Sequence, residues 1–279
     1  MLKTPTPFDP SRLTADDPPP FTVVRDHGAS PRWLLTCDHA SNAVPAHMEG
    51  LGLPNTELAR HIGWDIGAEG VAREMASRLG ATLVIAGYSR LIIDLNRPLA
   101  SPTLMPAVAD DTPVPANANI TDDERAARAA WFHDSYHGCI AAELDMREAR
   151  GEAPVLVAVH SFTPKFENFE RPWQIGLLYE HDARLVEPLR EALLTEEPSL
   201  VIGDNEPYAI RGPSDYTIPV HGQGRGLPHI EIEIRQDLIA DPAGQERWAA
   251  LLVRALESAT AAAAPLTKIA PSTDPAATA

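Results

Sequence analysis

The chain has 279 residues and carries 23 basic against 39 acidic side chains, a formal net charge of -16 at neutral pH. A field of that sign repels a phosphate backbone, which argues against nucleic acid as the main partner and requires a local basic region for any small anionic substrate. The two cysteines lack CxxC spacing, and the chain has neither a signal-like N-terminal segment nor an apolar run of the roughly 20 residues that span a bilayer. We therefore expect a cytoplasmic protein without a disulfide framework or membrane insertion.

The composition divides the chain into one domain and two tails. Residues 1–20 carry many prolines among acidic and small residues, and 259–279 are mostly Ala, Pro and Thr. Both segments are too poor in large apolar groups to offset the entropy cost of ordering, so flexible tails are predicted. A single domain over 21–258 is expected, as monomer or homo-oligomer.

Apolar strand-like runs alternate with helical patterns along the predicted domain. Strands are predicted at 33–37, 81–86, 91–95, 154–159, 175–179, 200–202 and 228–234, and helices at 58–79, 121–150, 183–194 and 245–263. This alternation, with near-continuous apolar strands, predicts an α/β three-layer sandwich with a mixed, mostly parallel central sheet. Ligands of such sheets bind beyond the carboxyl ends of the strands.

Two histidines at predicted strand ends, His39 and His160, are candidate metal ligands. Neutral imidazole is a natural zinc donor, and catalytic zinc usually takes three protein ligands and a water. Asp65 is the preferred third ligand because it lies among apolar residues and glycines, where a carboxylate is unexpected unless it has a function. Asp38 is the alternative third ligand because it is adjacent to His39. The alternative for a single histidine is a cap on a strand end.

The last predicted strand carries two glutamates on one face. Alternation places Glu231, Glu233 and Arg235 on one side and three isoleucines on the other. One glutamate, Glu233 by preference, is suited to take a proton from a metal-bound water and return it to a leaving amine. An edge strand with a solvated polar face is the alternative.

A third polar segment supplies cations. Asn96 and Arg97 precede Pro98, which biases the backbone toward an extended exit. The planar fork of arginine matches a carboxylate, and asparagine adds a donor. Arg90 is a second cation, suited to a substrate with two carboxylates. It is counted with Glu233 as a candidate catalytic residue.

Three further side chains are placed in the substrate-binding cleft. Asn205 and Tyr208 follow a predicted strand, and His221 lies beside a glycine-rich loop at 222–226 that is predicted to cover the site. That loop lacks the strand-turn-helix context of a phosphate-binding fingerprint.

Six segments together resemble the N-formylglutamate amidohydrolase family, and they cover nearly the whole predicted domain in order. They are 38–42, 61–68, 89–98, 160–164, 203–208 and 232–238. The resemblance implies a zinc-exopeptidase-like fold and deformylation of N-formyl-L-glutamate to formate and glutamate, a step in histidine breakdown.

A more distant likeness to zinc carboxypeptidases and aspartoacylases implies roles for single residues. By that likeness His39 and His160 bind zinc, Asn96 and Arg97 bind the substrate carboxylate, and Glu233 is the general base. Where carboxypeptidases have a glutamate ligand three residues after the first histidine, this chain has an asparagine, which is a poor zinc donor. The carboxylate ligand must therefore come from elsewhere, and Asp65 is assigned to that position.

The sequence thus predicts a hydrolase with one zinc ion that cleaves the amide of an N-acyl acidic amino acid, most readily N-formyl-L-glutamate. The acyl group and the amino acid stay open, because the His-Ser-Phe-Thr-Pro segment looks like a different branch of the family from the one in histidine degradation. A non-catalytic binding protein for an amino-acid derivative and a zinc amidase or peptidase for larger substrates are the alternatives.

Overall fold

A seven-stranded mixed sheet forms the centre of the computed structural model, which describes residues 5–25, 30, 32–210, 214–263 and 265–270. In chain order the strands are β1 (Phe21–Val24), β2 (Trp33–Cys37), β3 (Thr82–Ala86), β4 (Val108–Ala109), β5 (Thr112–Pro113), β6 (Val155–Phe162), β7 (Lys165–Phe166), β8 (Phe169–Glu170), β9 (Ile175–Leu178), β10 (Ile202–Asp204) and β11 (His229–Arg235). The short pairs β4–β5 and β7–β8 are hairpins outside the central sheet.

The central sheet has the strand order β1-β3-β2-β6-β11-β9-β10. Strands β3, β2, β6 and β11 are mutually parallel, β1 is antiparallel to β3, and β9 is antiparallel to β11 and parallel to β10. Every residue of β2, β3 and β6 is buried, as expected for parallel strands covered on both faces. The carboxyl ends of β2, β6 and β11 consequently meet at one edge of the sheet.

Helices cover both faces of this sheet. They are α1 (Asn55–Leu58), α2 (Ala68–Leu79), α3 (Asp122–Arg128), α4 (Asp134–Glu148), α5 (Val186–Glu196) and α6 (Pro242–Ala262), and a π turn, Ala129–His133, joins α3 to α4. Apolar residues of α2, α5 and α6 form one core with one face of the sheet, and those of the π turn and α4 form a second core on the other face. The predicted three-layer α/β sandwich is confirmed.

Local signals account for several element ends. Oγ1 of Thr121 accepts the N–H of Glu124 at the start of α3, and Oδ1 of Asp241 accepts the N–H of Gly244 at the start of α6. Helix α2 ends at Gly80, whose φ of +60° is readily adopted by glycine.

Two predicted elements are wrong in extent or kind. The helix predicted for 58–79 begins only at Ala68, after a turn that contains Gly67 with φ +82°. The strand predicted for 91–95 is a turn segment. Its carbonyl groups accept hydrogen bonds from side chains and not from a neighbouring strand. The amide of Asn117 donates to Leu91 O, and the guanidinium of Arg128 donates to Ile92 O.

The packed structure extends beyond the predicted domain bounds of 21–258. Phe8 is buried against Phe132, and its N–H donates to Glu124. At the other end α6 continues to Ala262, and the N–H of Ile269 donates to a backbone carbonyl of the 222–226 loop. Residues 1–4 and 271–279 of the predicted tails lie outside the described residues. In the described part of the chain, no helix combines the length and apolarity needed to cross a membrane.

Candidate active site

A cavity of about 360 Å³ opens where the carboxyl ends of β2, β6 and β11 meet. Its lining includes eight of the ten predicted site residues: His39, Asp65, Arg90, Asn96, Arg97, His160, Tyr208 and Glu233. His61, Asp215 and Glu231 line it as well. The segments singled out in the sequence therefore converge on one pocket, although they come from strands and loops far apart in the chain.

Three buried side chains in this pocket form a group able to hold a metal ion. The Nδ1 atoms of His39 and His160 lie 3.4 Å and 2.9 Å from Oδ2 of Asp65. One ligand atom from each of the three residues lies within 4.8 Å of the other two. Burial alone would raise the pKa of Asp65, but the adjacent His39 and His160 rings hold this pKa well below its ordinary value. Asp65 is therefore a carboxylate at neutral pH, which is the form that binds metal.

The second nitrogen of each histidine ring faces its own carboxylate. Nε2 of His39 is 2.7 Å from Oδ1 of Asp94, and Nε2 of His160 is 3.5 Å from Oδ2 of Asp38. Metal-bound histidines usually have such a partner, because it fixes the ring orientation and the tautomer with Nδ1 free to coordinate. The two imidazoles are thus oriented with their Nδ1 atoms toward Asp65.

The carboxylates behind the histidines are themselves held by hydrogen bonds. The hydroxyls of Tyr136 and Thr217 donate to Asp38 at 2.5 Å and 2.7 Å. The guanidinium of Arg90 donates to Asp94 through Nε and Nη2 and approaches Asp65 at 3.4 Å through Nη1. Arg90 therefore fixes the outer partner of His39 and borders the candidate metal ligand Asp65 as well.

The donor set fits a divalent ion of the zinc type. Two imidazole nitrogens and one carboxylate oxygen leave a coordination position for water, as catalytic zinc sites require. Asp38, Asp65 and Asp94 are buried around the two imidazoles. Burial, and for His39 the Arg90 charge, would lower the pKa of the two histidines, but the neighbouring carboxylates raise both pKa values. A bound cation would take the place of the histidine protons between these carboxylates, so it also fits the electrostatics of the pocket.

Glu231 and Glu233 project into the pocket from β11, an interior strand between β6 and β9. The predicted alternation is confirmed, since Ile230, Ile232 and Ile234 pack in the core on the opposite face. The alternative of a solvated edge strand is wrong. Burial raises the pKa of Glu231 to about 7, and burial with the nearby Asp65 and Glu231 charges raises that of Glu233, although His160 opposes both shifts.

The two glutamates differ in their partners. Oε2 of Glu231 lies 3.5 Å from Nδ2 of Asn96. Oε2 of Glu233 is buried and has no hydrogen-bond partner among the described residues. A buried carboxyl oxygen without a partner and with a raised pKa is a candidate general acid–base group.

Asn96 and Arg97 enter the pocket from the turn after Asp94. Oδ1 of Asn96 accepts the backbone N–H groups of Tyr216 and Thr217, both at 3.0 Å. Its Nδ2 is consequently the atom directed at Glu231. The Nη1 of Arg97 donates to Oδ1 of Asp215 at 3.0 Å and to the carbonyl of Ser214.

Tyr208 lines the pocket beside a buried arginine. Nη1 of Arg171 donates to the hydroxyl of Tyr208 at 3.1 Å and to Oγ1 of Thr163 at 3.1 Å. The Arg171 guanidinium also lies 4.9 Å from the centre of the Tyr208 ring. Because the tyrosine hydroxyl accepts from Arg171, its own proton is available to a group in the pocket.

A family model for N-formylglutamate amidohydrolase matches residues 31–240. The chain belongs to the N-formylglutamate amidohydrolase family. It is similar, at 33% identity, to the solved structure of a gene product from Agrobacterium tumefaciens, with a TM-score of 0.85 over 90% of this chain and 98% of that one. The fold is also similar to that of an N-formylglutamate amidohydrolase from Ralstonia eutropha JMP134, at 20% identity and a TM-score of 0.62, over 85% of this chain and 97% of that one. No curated protein matches the sequence.

As a member of the N-formylglutamate amidohydrolase family, the chain is assigned to the hydrolases.

Two predicted substrate-binding residues lie elsewhere in the fold. Asn205 has φ +51°, and its side-chain oxygen accepts the N–H of Tyr179, so it connects the turn after β10 to the end of β9. His221 is buried in a π turn, where its Nε2 is 3.0 Å from Nδ1 of His137. Neither is among the residues that line the pocket in the described part of the chain, so their placement in the cleft is corrected.

Sequence reasoning missed Asp94 as the partner of His39 and considered Asp38 only as a competing ligand. A signal for Asp94 exists, because it is a carboxylate between apolar residues, as Asp65 is. The roles of Asp215 and Thr217 had no comparable signal, since these residues act through contacts across more than 90 residues of sequence.

Proposed function

We propose that the protein is a zinc-dependent amidohydrolase that removes the acyl group from an N-acyl acidic amino acid, with N-formyl-L-glutamate as the first candidate. One observation carries the proposal. The His39–Asp65–His160 group, the unpartnered carboxyl of Glu233 and the guanidinium of Arg97 all face the same cavity. This arrangement combines metal donors, a proton acceptor and a carboxylate-binding cation within reach of one small substrate.

His39, Asp65 and His160 would hold a single zinc ion. When bound, zinc supplies Lewis-acid chemistry by polarising the acyl carbonyl and lowering the pKa of a water toward neutrality. Asp94 keeps the His39 ring oriented through its Nε2 at 2.7 Å, and Asp38 faces Nε2 of His160 at 3.5 Å. Asp65 is also held by Arg90 and by the backbone N–H of Ser161 at 3.3 Å, so all three donors are preorganised.

Glu233 would act as the general base and then as the general acid. Its raised pKa allows it to take a proton from the attacking water and to give a proton to the amine nitrogen as the carbon–nitrogen bond breaks. Glu231 is less suited to this role because Asn96 lies against its Oε2. The products are the free acid of the acyl group and the free amino acid.

Asn96 and Arg97, hereafter the carboxylate clamp, would hold the substrate by its α-carboxylate. Arg97 offers a charged planar donor, and the amide of Asn96 has its nitrogen directed into the pocket. Holding the carboxylate fixes the distance from the amide bond to the metal donors, which is a positioning effect worth several powers of ten in rate in well-oriented systems. Arg90 and the Tyr208 hydroxyl are the further groups that would meet a second carboxylate.

The identity of the substrate is supported by the family and by the similar structure from Ralstonia eutropha, that of an N-formylglutamate amidohydrolase. With this substrate the products are formate and glutamate, as in a step of histidine breakdown. The small cavity and its cations favour a compact, doubly charged anion over a long peptide.

A substrate panel tests the proposal. Zinc-loaded protein would be assayed for amine release from N-formyl-L-glutamate, N-acetyl-L-glutamate, N-formyl-L-glutamine and N-formylglycine. We expect the highest kcat/KM with N-formyl-L-glutamate and a loss of at least about tenfold with the two substrates that lack its side-chain carboxylate. Hydrolysis of none of the four would contradict the proposal and would favour a non-catalytic binding protein.

A further inference from the structure

Two buried histidines of one helix hold the backbone on both sides of Asn96. Nε2 of His137 lies 2.7 Å from the carbonyl oxygen of Leu95, and Nε2 of His133 lies 3.1 Å from the carbonyl oxygen of Arg97. A carbonyl can only accept, so both Nε2 atoms are donors. The residues immediately before and after Asn96 are therefore fixed by one helical surface.

The π turn gives these histidines their common direction. Ala129–His133 forms that turn and α4 follows from Asp134, which places His133 and His137 one turn apart on the same face. Their rings are 4.4 Å apart between centres. π turns inside longer helices occur often at functional sites, because they shift the register of the side chains that follow.

A third histidine sets the tautomer of His137. Since Nε2 of His137 donates to Leu95, Nδ1 of the neutral ring accepts, and Nε2 of His221 must donate to it at 3.0 Å. His221, incorrectly predicted to bind substrate, is thus the end of a hydrogen-bond chain that leads to the backbone beside the clamp.

The same helix face supports the loop that holds the side chain of Asn96. The ring of Tyr216 packs on His133 and His137 with centres 4.8 Å and 4.4 Å apart. The backbone N–H of Tyr216 donates to Oδ1 of Asn96, which leaves Nδ2 for the pocket. The two histidines consequently determine both the backbone position and, through Tyr216, the amide orientation of Asn96.

We propose that His133 and His137 are positioning residues for the carboxylate clamp. This inference rests on the proposed function, in which Asn96 and Arg97 bind the substrate α-carboxylate. Neither histidine is among the residues that line the cavity in the described ranges, so they act through the Leu95 and Arg97 carbonyls. Losing one donor lets the clamp relax and weakens carboxylate binding, while the metal donors and Glu233 stay in place.

The test compares variants that remove or keep the Nε2 donor. His137→Phe and His133→Phe keep a ring but remove the hydrogen bond, whereas His137→Gln and His133→Gln keep an amide N–H near the position of Nε2. His229→Phe is the matched control, because His229 is a buried histidine whose ring also bonds a backbone carbonyl, that of Leu227, outside the cavity. KM and kcat are measured for N-formyl-L-glutamate and for its α-amide, which lacks the α-carboxylate.

We expect each phenylalanine variant to raise the KM for N-formyl-L-glutamate about five- to tenfold, the effect of one lost hydrogen bond. The glutamine variants should return KM to within about twofold of wild type, and zinc content and the KM for the α-amide should not change. An unchanged KM in both phenylalanine variants, or an equal rise for both substrates, overturns the inference.

Arg97→Ala separates this inference from the proposed function. If Arg97→Ala raises KM and the histidine variants do not, the positioning role alone is wrong. If none of these variants alters KM, the clamp itself is wrong and the inference falls with it. If His137→Phe fails to fold, His133→Phe provides the same comparison, because Nε2 of His133 bonds the carbonyl of Arg97 on the other side of the clamp.

Discussion

Glu233 lies directly opposite His160 in the register of the parallel strands β11 and β6. Neighbouring strands are about 4.8 Å apart, and side chains in register project from the same face of the sheet. A candidate metal ligand and the candidate base are thus held at a fixed separation by backbone hydrogen bonds instead of flexible loops. Such rigid support is what general acid–base chemistry on a metal-bound water requires.

Replacing Glu233 by glutamine should separate catalysis from metal binding. Glu233→Gln keeps the shape of the side chain but cannot accept the water proton, so kcat should fall by about 10²- to 10⁴-fold with one zinc still bound. Glu231→Gln should lose less, because Glu231 faces Asn96. The measurement is kcat with zinc content for both variants. A Glu233→Gln variant as active as wild type would assign the base elsewhere.

Removing the guanidinium of Arg97 should weaken substrate binding. A charged hydrogen bond contributes about 1.5 to 3 kcal/mol, so Arg97→Ala should raise KM for N-formyl-L-glutamate about 10- to 100-fold with little change in zinc content. Arg235→Ala is the control, because Arg235 pairs with Asp237 outside the cavity. Equal KM values for Arg97→Ala and wild type would refute the clamp.

Replacing two glycines by alanine should change the free energy of unfolding in opposite directions. Gly67 has φ +82°, and a Cβ there would lie 2.1 Å from the carbonyl oxygen of Ile239, so Gly67→Ala should lower the free energy of unfolding by about 2 kcal/mol or more. Gly138, in α4, would meet nothing within 4 Å, and Gly138→Ala should raise that free energy by about 0.5 to 1 kcal/mol. Urea unfolding of both variants measures this, and equal effects would contradict the described turn at Gly67.

His221 should make the fold sensitive to acid. Burial, with the Arg225 charge next, lowers the pKa of His221 to about 4, whereas an unfolded histidine has a pKa of about 6.5. Between these two pKa values the unfolded chain binds more protons at this residue than the folded chain does. The contribution of His221 to the free energy of unfolding is therefore complete above pH 7. It is lost as the pH falls toward 4, by at most about 3 kcal/mol. His221→Gln, which keeps a donor to His137, should lose less stability than wild type between pH 7.5 and pH 4.5. Equal losses in urea unfolding would contradict the assignment.

The site was more predictable from the sequence than the elements that carry it. His39 and His160 were located by apolar runs that end at them, and such runs are local signals. Asn96 lines the pocket although the strand predicted before it is a turn. That turn depends on Asn117 and Arg128, whose side chains replace the ladder partners of a strand, and a local pattern does not contain contacts at that distance.

The errors at Asn205 and His221 have a similar origin. Asn205 needs a left-handed backbone, and its side-chain oxygen accepts the N–H of Tyr179, the residue after β9, so its position after a strand did not place it in the pocket. His221 is directed by a π turn toward His137. Sequence spacing shows which residues follow a strand, but the direction of each side chain depends on the backbone angles and the partners that tertiary packing provides.

Zinc titration of the metal-free protein tests the central claim most directly. After removal of metal by a chelator, the rate of N-formyl-L-glutamate hydrolysis is measured as zinc is added, with His39→Ala and His160→Ala as controls. We expect negligible activity without metal, a linear rise that levels off at one zinc per chain, and no recovery in either variant at that stoichiometry. Full hydrolysis by the metal-free protein, or none at one zinc per chain, would contradict the account.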